Sequence, residues 1–176
     1  MNKKLYSTKA YALTALFAAL IFLVTAYILH IPTPVTGGYI HLGDAVLYLT
    51  ASILPTPLAI AAGGIGMAMA DAMTGSVLYM LPTFLIKSAM VLCFAAAGKK
   101  IVTKRNIAAT VFAGVICIGG YYVAAAILCN SMITPLAEIP ANLIQAGLSA
   151  FFYIVFGNAL DRADLKSYIR IAEMHH

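Results

Sequence analysis

His41, Asp44, Asp71, Lys87, Asn142 and Gln145 are the residues whose chemistry fits their surroundings least, because each lies within or beside a long apolar run. An ionisable group at membrane depth is costly and rarely idle. Two carboxylates, an amine, an imidazole and two amides make a set of hydrogen-bond donors and acceptors. With Tyr79, Tyr121 and Tyr122, that set would hydrogen-bond the edge of a polar ring while phenol rings stack on its face. Each member also has a plainer reading. Asp44 would cap a helix, Asp71 and Lys87 would pair as buried ions, and His41 would be a solvated loop residue. Asn142 and Gln145 would join helices, and Tyr121 and Tyr122 would belong to an interfacial belt.

Other chemistries lack their signatures. No G-x-x-x-x-G-K-[ST], H-E-x-x-H or G-x-S-x-G occurs in the sequence, so neither a phosphate-cradling loop nor a familiar catalytic motif is expected. Cys93, Cys117 and Cys129 are widely spaced; they read as packing residues, with no metal and no cofactor expected.

The elements that position these residues follow from composition. Of 176 residues, 62% are hydrophobic and only 10% charged, and the mean hydropathy is +0.94. A soluble domain of this size could not hide so much apolar surface, so the solvent is a lipid bilayer. The runs lack the alternation of a membrane barrel and read as helices. Ala10–Ile31 is too long for a signal peptide and reads as the first span. The formal charge of +5 points to membrane orientation and not to nucleic acid.

Ten of the 11 Lys and Arg residues fall in three clusters: Lys3/Lys4/Lys9, Lys99/Lys100/Lys104/Arg105 and Arg162/Lys166/Arg170. Positive residues favour the cytoplasmic side, so an even number of crossings separates successive clusters. Residues 43–75 must then cross twice or not at all, and Pro55-Thr56-Pro57 breaks them into a hairpin. The expected fold is an all-α integral membrane protein: one domain over 1–176, a bundle of six transmembrane helices, both termini cytoplasmic. The helices are placed at 10–30, 43–54, 57–74, 78–98, 107–128 and 138–160. The second is short and needs shielding by its neighbours.

This topology gathers the exceptional residues on the outer side. The first outer loop carries His41, with Gly37–Leu42 as a candidate lid and Asp44 at its rim. The inner halves contain almost no ionisable groups, which suggests an outward cup with a sealed apolar floor. Small residues recur at Gly64, Ala68 and Ala72, and again at Ala15 and Ala19, a spacing that permits close helix packing.

The whole chain resembles a substrate-binding S component of an energy-coupling factor (ECF) vitamin transporter. The resemblance rests on the Ala-rich first helix and on "IPTPVTGGYIHLGDAVLYL", "GGIGMAMADAMTGS" and "LYMLPTFLIKSAM". It implies a membrane subunit of a prokaryotic plasma membrane that binds a vitamin or precursor near the outer surface. Its implied partners are a transmembrane coupling protein and two cytoplasmic ATPase subunits, which would hydrolyse ATP while the loaded subunit topples to deliver its ligand. The family's Ala-x-x-x-Ala docking motif maps onto Ala15 and Ala19. The loop-and-Asp pattern looks most like the hydroxymethylpyrimidine/pyridoxine branch, with riboflavin as an alternative vitamin. Outside this family, the competing readings are a stand-alone secondary transporter or channel using Asp71/Lys87, or a structural subunit without ligand.

Overall fold

The computed structural model describes residues 6–28, 30–32, 39–167 and 169. Six α-helices follow in chain order: α1 (Thr8–Tyr27), α2 (Gly43–Ile53), α3 (Thr56–Met73), α4 (Met80–Leu92), α5 (Lys104–Leu128) and α6 (Ile139–Arg162). Short 3-10 turns at Val77–Tyr79 and Thr134–Glu138 lead into α4 and α6. A small antiparallel ladder, β1 (Ile31–Pro32) with β2 (Tyr39–Ile40), pairs Ile31 with Ile40 and Pro32 with Tyr39 between α1 and α2. Gly37 and Gly38 of the candidate lid, Lys3, Lys4 and Arg170 lie outside the described residues.

The helices form a ring in which α1 packs on α3, α3 on α4, α4 on α5 and α5 on α6, while α2 sits against α1, α3, α4 and α6. Ten of the eleven residues of α2 are buried. At 1.5 Å per residue this helix is only about 16 Å long, half a hydrocarbon core, but its neighbours enclose it. Helices α1, α3 and α5 and the segment Thr134–Arg162 are long and apolar enough to cross a membrane; α2 and Val77–Leu92 are shorter apolar helices.

The outer surface is apolar, as lipid requires, and the mostly hydrophobic interior also encloses polar and charged groups. Leu16 and Leu20 on α1, Val111 and Phe112 on α5, and Phe151 and Phe156 on α6 are exposed, whereas Lys87 is fully buried. Two glycines allow close approaches. A Cβ on Gly66 would lie 2.6 Å from the Ala18 carbonyl oxygen of α1, so α1 and α3 meet only because that atom is missing. A Cβ on Gly43 would collide with Thr25 Oγ1, which explains a glycine ahead of Asp44.

Helix α4 stops at Leu92, short of the 98 expected from its apolar run. The cause is Asn106, 1% exposed, whose amide substitutes for helical hydrogen bonds. Its Oδ1 accepts from the Ala95 N–H at 3.0 Å, and its Nδ2 donates to Ala95 O and Ile101 O at 3.0 and 3.1 Å. The same Nδ2 lies 3.2 Å from Ser52 Oγ. Asp161 then accepts the Ile101 and Val102 amides at 2.7 and 2.9 Å, and Tyr153 donates to Ile101 O at 2.8 Å. A polar clamp therefore fastens the α4–α5 connection to α6.

Apart from Asp161, the clamp's side chains are uncharged polar groups. Inward-facing polar residues continue along α2 (Asp44, Tyr48, Ser52) and α6 (Gln145, Ser149, Tyr153), all of them buried. Spacings of four keep them on one helix face.

Candidate functional site

A polar cleft is assembled from five elements. Tyr39 and His41 come from β2 and its end, Asp71 from the last turn of α3, and Ser76 and Tyr79 from the turn before α4. Tyr121 comes from α5, and Glu138, Asn142 and Gln145 from the start of α6. These residues line one narrow cleft.

Alternation in β2 explains why Tyr39 and His41 share a face. Tyr39 donates its phenol to Asp71 Oδ1 at 2.7 Å, and its ring lies 4.0 Å from that of His30 and 5.4 Å from that of His41. Burial first, then the adjacent Asp71 charge, pushes the Tyr39 phenol above its ordinary value. The other Asp71 oxygen, Oδ2, is buried and has no hydrogen-bond partner among the described residues.

His41 is 5% exposed, which overturns the reading of a solvated loop histidine. Its backbone N–H donates to Gln145 Oε1 at 3.0 Å, and its Nδ1 accepts the Gly43 N–H at 3.0 Å. An accepting Nδ1 puts the proton of the neutral ring on Nε2. The histidine thereby serves the first amide of α2, whose N-cap residue is Leu42 and not Asp44. Asp44 stands in the first turn instead, where a carboxylate complements the helix dipole.

Burial, more than any neighbour, lowers the His41 pKa to about 4; Lys87 and His30 act in the same direction and Asp44 opposes them. A pKa below the unfolded value near 6.5 means that the unfolded chain binds the extra proton first. Stability is therefore full above about pH 6.5 and falls as pH drops toward 4, by up to about 3 kcal/mol. Melting of the protein across that window is expected to show the slope. His41→Gln, whose carbonyl can still accept the Gly43 amide, is expected to flatten it.

Directly beneath the cleft is a buried ion pair. Lys87 Nζ donates to Asp44 Oδ1 at 2.7 Å, with both side chains essentially inaccessible. Gln145 Nε2 donates to Asp44 Oδ2 at 2.8 Å, while Lys87 lies 5.0 Å from the Tyr121 ring centroid and 3.6 Å from Cys117 Sγ. The partner of Lys87 is thus Asp44, not Asp71. Lys87 meets Asp44 where α2 contacts α4. The floor is charged but internally neutralised, not apolar.

Of the nine residues expected in a site, six line the cleft: His41, Asp71, Tyr79, Tyr121, Asn142 and Gln145. Asp44 and Lys87 support it from below. Tyr122 lies outside it, donating to Met132 O at 2.9 Å beside a separate groove. Consecutive helical residues point about 100° apart, so Tyr121 and Tyr122 cannot both face inward. Tyr39 and Ser76 were missed, and Glu138 lines the cleft beside Asn142 and Gln145. Alternation with His41 was a usable signal for Tyr39, whereas Ser76 had none. Ala15 and Ala19 are exposed on α1, next to exposed Leu16 and Leu20.

A lipid-suited helical bundle holding a polar cleft over a neutralised ion pair is the architecture of a membrane-embedded binding protein. The family described as "ECF-type riboflavin transporter, S component" matches residues 5–162, and the chain belongs to the S components of ECF transporters. The S component of a bacterial ECF transporter, known from a solved structure, shares the fold with a TM-score of 0.65 at 19% identity, covering 88% of this chain and 96% of that one. No curated protein matches the chain. S components are substrate-binding membrane subunits and not enzymes, and the family works with ECF coupling and ATPase modules.

Proposed function

We propose that this S component captures a planar nitrogen heteroaromatic vitamin, or its precursor, in the cleft between Tyr39, Asp71, Tyr121 and Asn142. The observation that carries this reading is the unpartnered, buried Asp71 Oδ2 in a cleft walled by tyrosines. A buried acceptor without a partner costs free energy until a donor arrives, and phenol rings supply the stacking surface. Riboflavin is the first candidate, because the matching family is described by it. A single-ring compound of the hydroxymethylpyrimidine or pyridoxine type is the second, favoured by how little free space the cleft holds.

In this reading the chain crosses a prokaryotic plasma membrane six times with both termini cytoplasmic, and the cleft faces outward. Tyr39–Leu42 forms the described part of a lid, held by the His41–Gln145 bond. Delivery follows from toppling in association with a transmembrane coupling protein and two ATPase subunits, and the Ala15/Ala19 face of α1 is the docking surface.

Native mass spectrometry of gently purified protein, followed by thermal melting against a vitamin panel, tests the ligand. A co-purifying or stabilising heteroaromatic is expected, and a panel without any stabilisation would count against the assignment. Docking has its own test. Ala19→Trp is expected to leave ligand affinity within about threefold while abolishing co-purification with the coupling protein. Lost ligand binding with an intact complex would contradict the docking role.

A further inference from the structure

We infer that the end of the bundle remote from the cleft holds the headgroup of an anionic phospholipid between Lys100, Lys104, Arg105 and Arg162, with an acyl chain lying along α5. The site is separate from the cleft: Lys104 and Tyr121 lie on one helix about 25 Å apart. The inference therefore does not depend on which compound the cleft takes.

The first observation is how cations remote in the chain are fixed at one level. Asp161 accepts the Ile101 and Val102 amides at 2.7 and 2.9 Å, and Lys166 donates to Lys100 O at 3.2 Å. These bonds fasten the connection between α4 and α5 to the end of α6, so the neighbours of Ile101 meet the neighbour of Asp161. Lys99, Lys100, Lys104, Arg105 and Arg162 are all exposed there. Across residues 99–105 and 161–164, five cations stand against two carboxylates, and Asp161 is engaged by the two amides. Among the described residues the ion pair is Lys87 with Asp44, so none of these five is neutralised. Helix α5 gains nothing itself from Lys104 and Arg105, because its first turn has no acid and cations oppose the dipole at a helix start.

The second observation is what lies next to the charges. Lys104, Ile107, Val111 and Val115 share one face of α5, and Val111 and Val115 are each 66% exposed. On α6, Phe151 and Val155 are exposed on the face that ends at Arg162. Each helix thus presents an apolar stripe that terminates in a cation. A soluble anion or an acidic protein surface would answer the charges and leave the stripes unused. An anionic phospholipid answers both: Lys and Arg donate charge-assisted hydrogen bonds to its phosphate oxygens, clustered cations draw anionic headgroups, and its chain covers the aliphatic face.

Native mass spectrometry of the full-length protein, released from nanodiscs of equal phosphatidylglycerol and phosphatidylcholine with matched chains, reads the retained lipid. Phosphatidylglycerol is expected to be retained at least fivefold over phosphatidylcholine. The double variant Lys104→Gln/Arg162→Gln is expected to bring that preference below twofold, and Lys9→Gln, a cation outside the site, to leave it unchanged. Equal retention of the two lipids, or a preference unmoved in the folded double variant, overturns the inference. An equal drop with Lys9→Gln would mean net charge in place of a built site and would also overturn it. Millimolar glycerol 3-phosphate is expected not to displace the lipid; displacement would assign the cations to a soluble phosphate. A double variant that keeps its lipid preference and loses co-purification with the coupling protein would assign them to a protein partner.

Discussion

Lys87→Met is expected to destabilise the protein by about 3–5 kcal/mol, because it leaves the Asp44 carboxylate buried without its counter-ion. The pair is inaccessible, 2.7 Å apart and at the meeting point of α2 and α4. Gln145 still donates to Asp44 in the variant, but one amide cannot compensate a full buried charge. The double variant Asp44→Asn/Lys87→Met removes the orphaned charge and keeps an acceptor for Gln145. It is expected to recover most of the loss in thermal melting. A double variant no more stable than the single one would show that Lys87 acts through packing. The pair also carries the floor of the cleft, since Asp44 holds Gln145 and Gln145 holds the His41 amide. Ligand affinity should therefore fall with the single substitution.

The second large effect is expected at the opposite end. Asn106→Leu deprives Ala95 of partners for both its N–H and its carbonyl, and removes one of the two donors to Ile101 O. An orphaned group costs about 1–3 kcal/mol when fully buried, and the two on Ala95 are partly buried, so a loss of roughly 2 kcal/mol is expected. None of these atoms belongs to the cleft. Ligand affinity, measured well below the melting temperature, should change less than threefold. A folded Asn106→Leu protein unable to bind ligand would show that the two ends are coupled.

These contrasting expectations mark how much was legible in the chain. Helix α3, with its small residues and a proline turn before it, could be placed because close packing and backbone breakage are local properties. The start of α6 was equally legible: Asn142 and Gln145, three apart, must share a face. The end of α4 was not, because an apolar run says where a helix can continue and not where a distant side chain stops it. Asn106 lies eleven residues beyond Ala95 and terminates the helix through space. The Lys87 partner was hidden for a related reason. Sequence pointed to Asp71, with Asp44 read as a helix cap, and only the arrangement of α2 between α3, α4 and α6 brings Asp44 within bonding distance. His41 is buried and not solvated, with its amide held by Gln145, 104 positions away.

By itself, the sequence determined the solvent, the helical class and the kind of side chain available for binding, because hydropathy, charge clusters and backbone-breaking prolines act within one or two turns. Tertiary structure alone decided which charges neutralise each other, which tyrosines face inward and which carboxylate oxygen is left without a partner among the described residues. Those outcomes depend on distances of 3 to 4 Å between helices remote in the chain, where hydrogen bonds and buried ion pairs are made or lost.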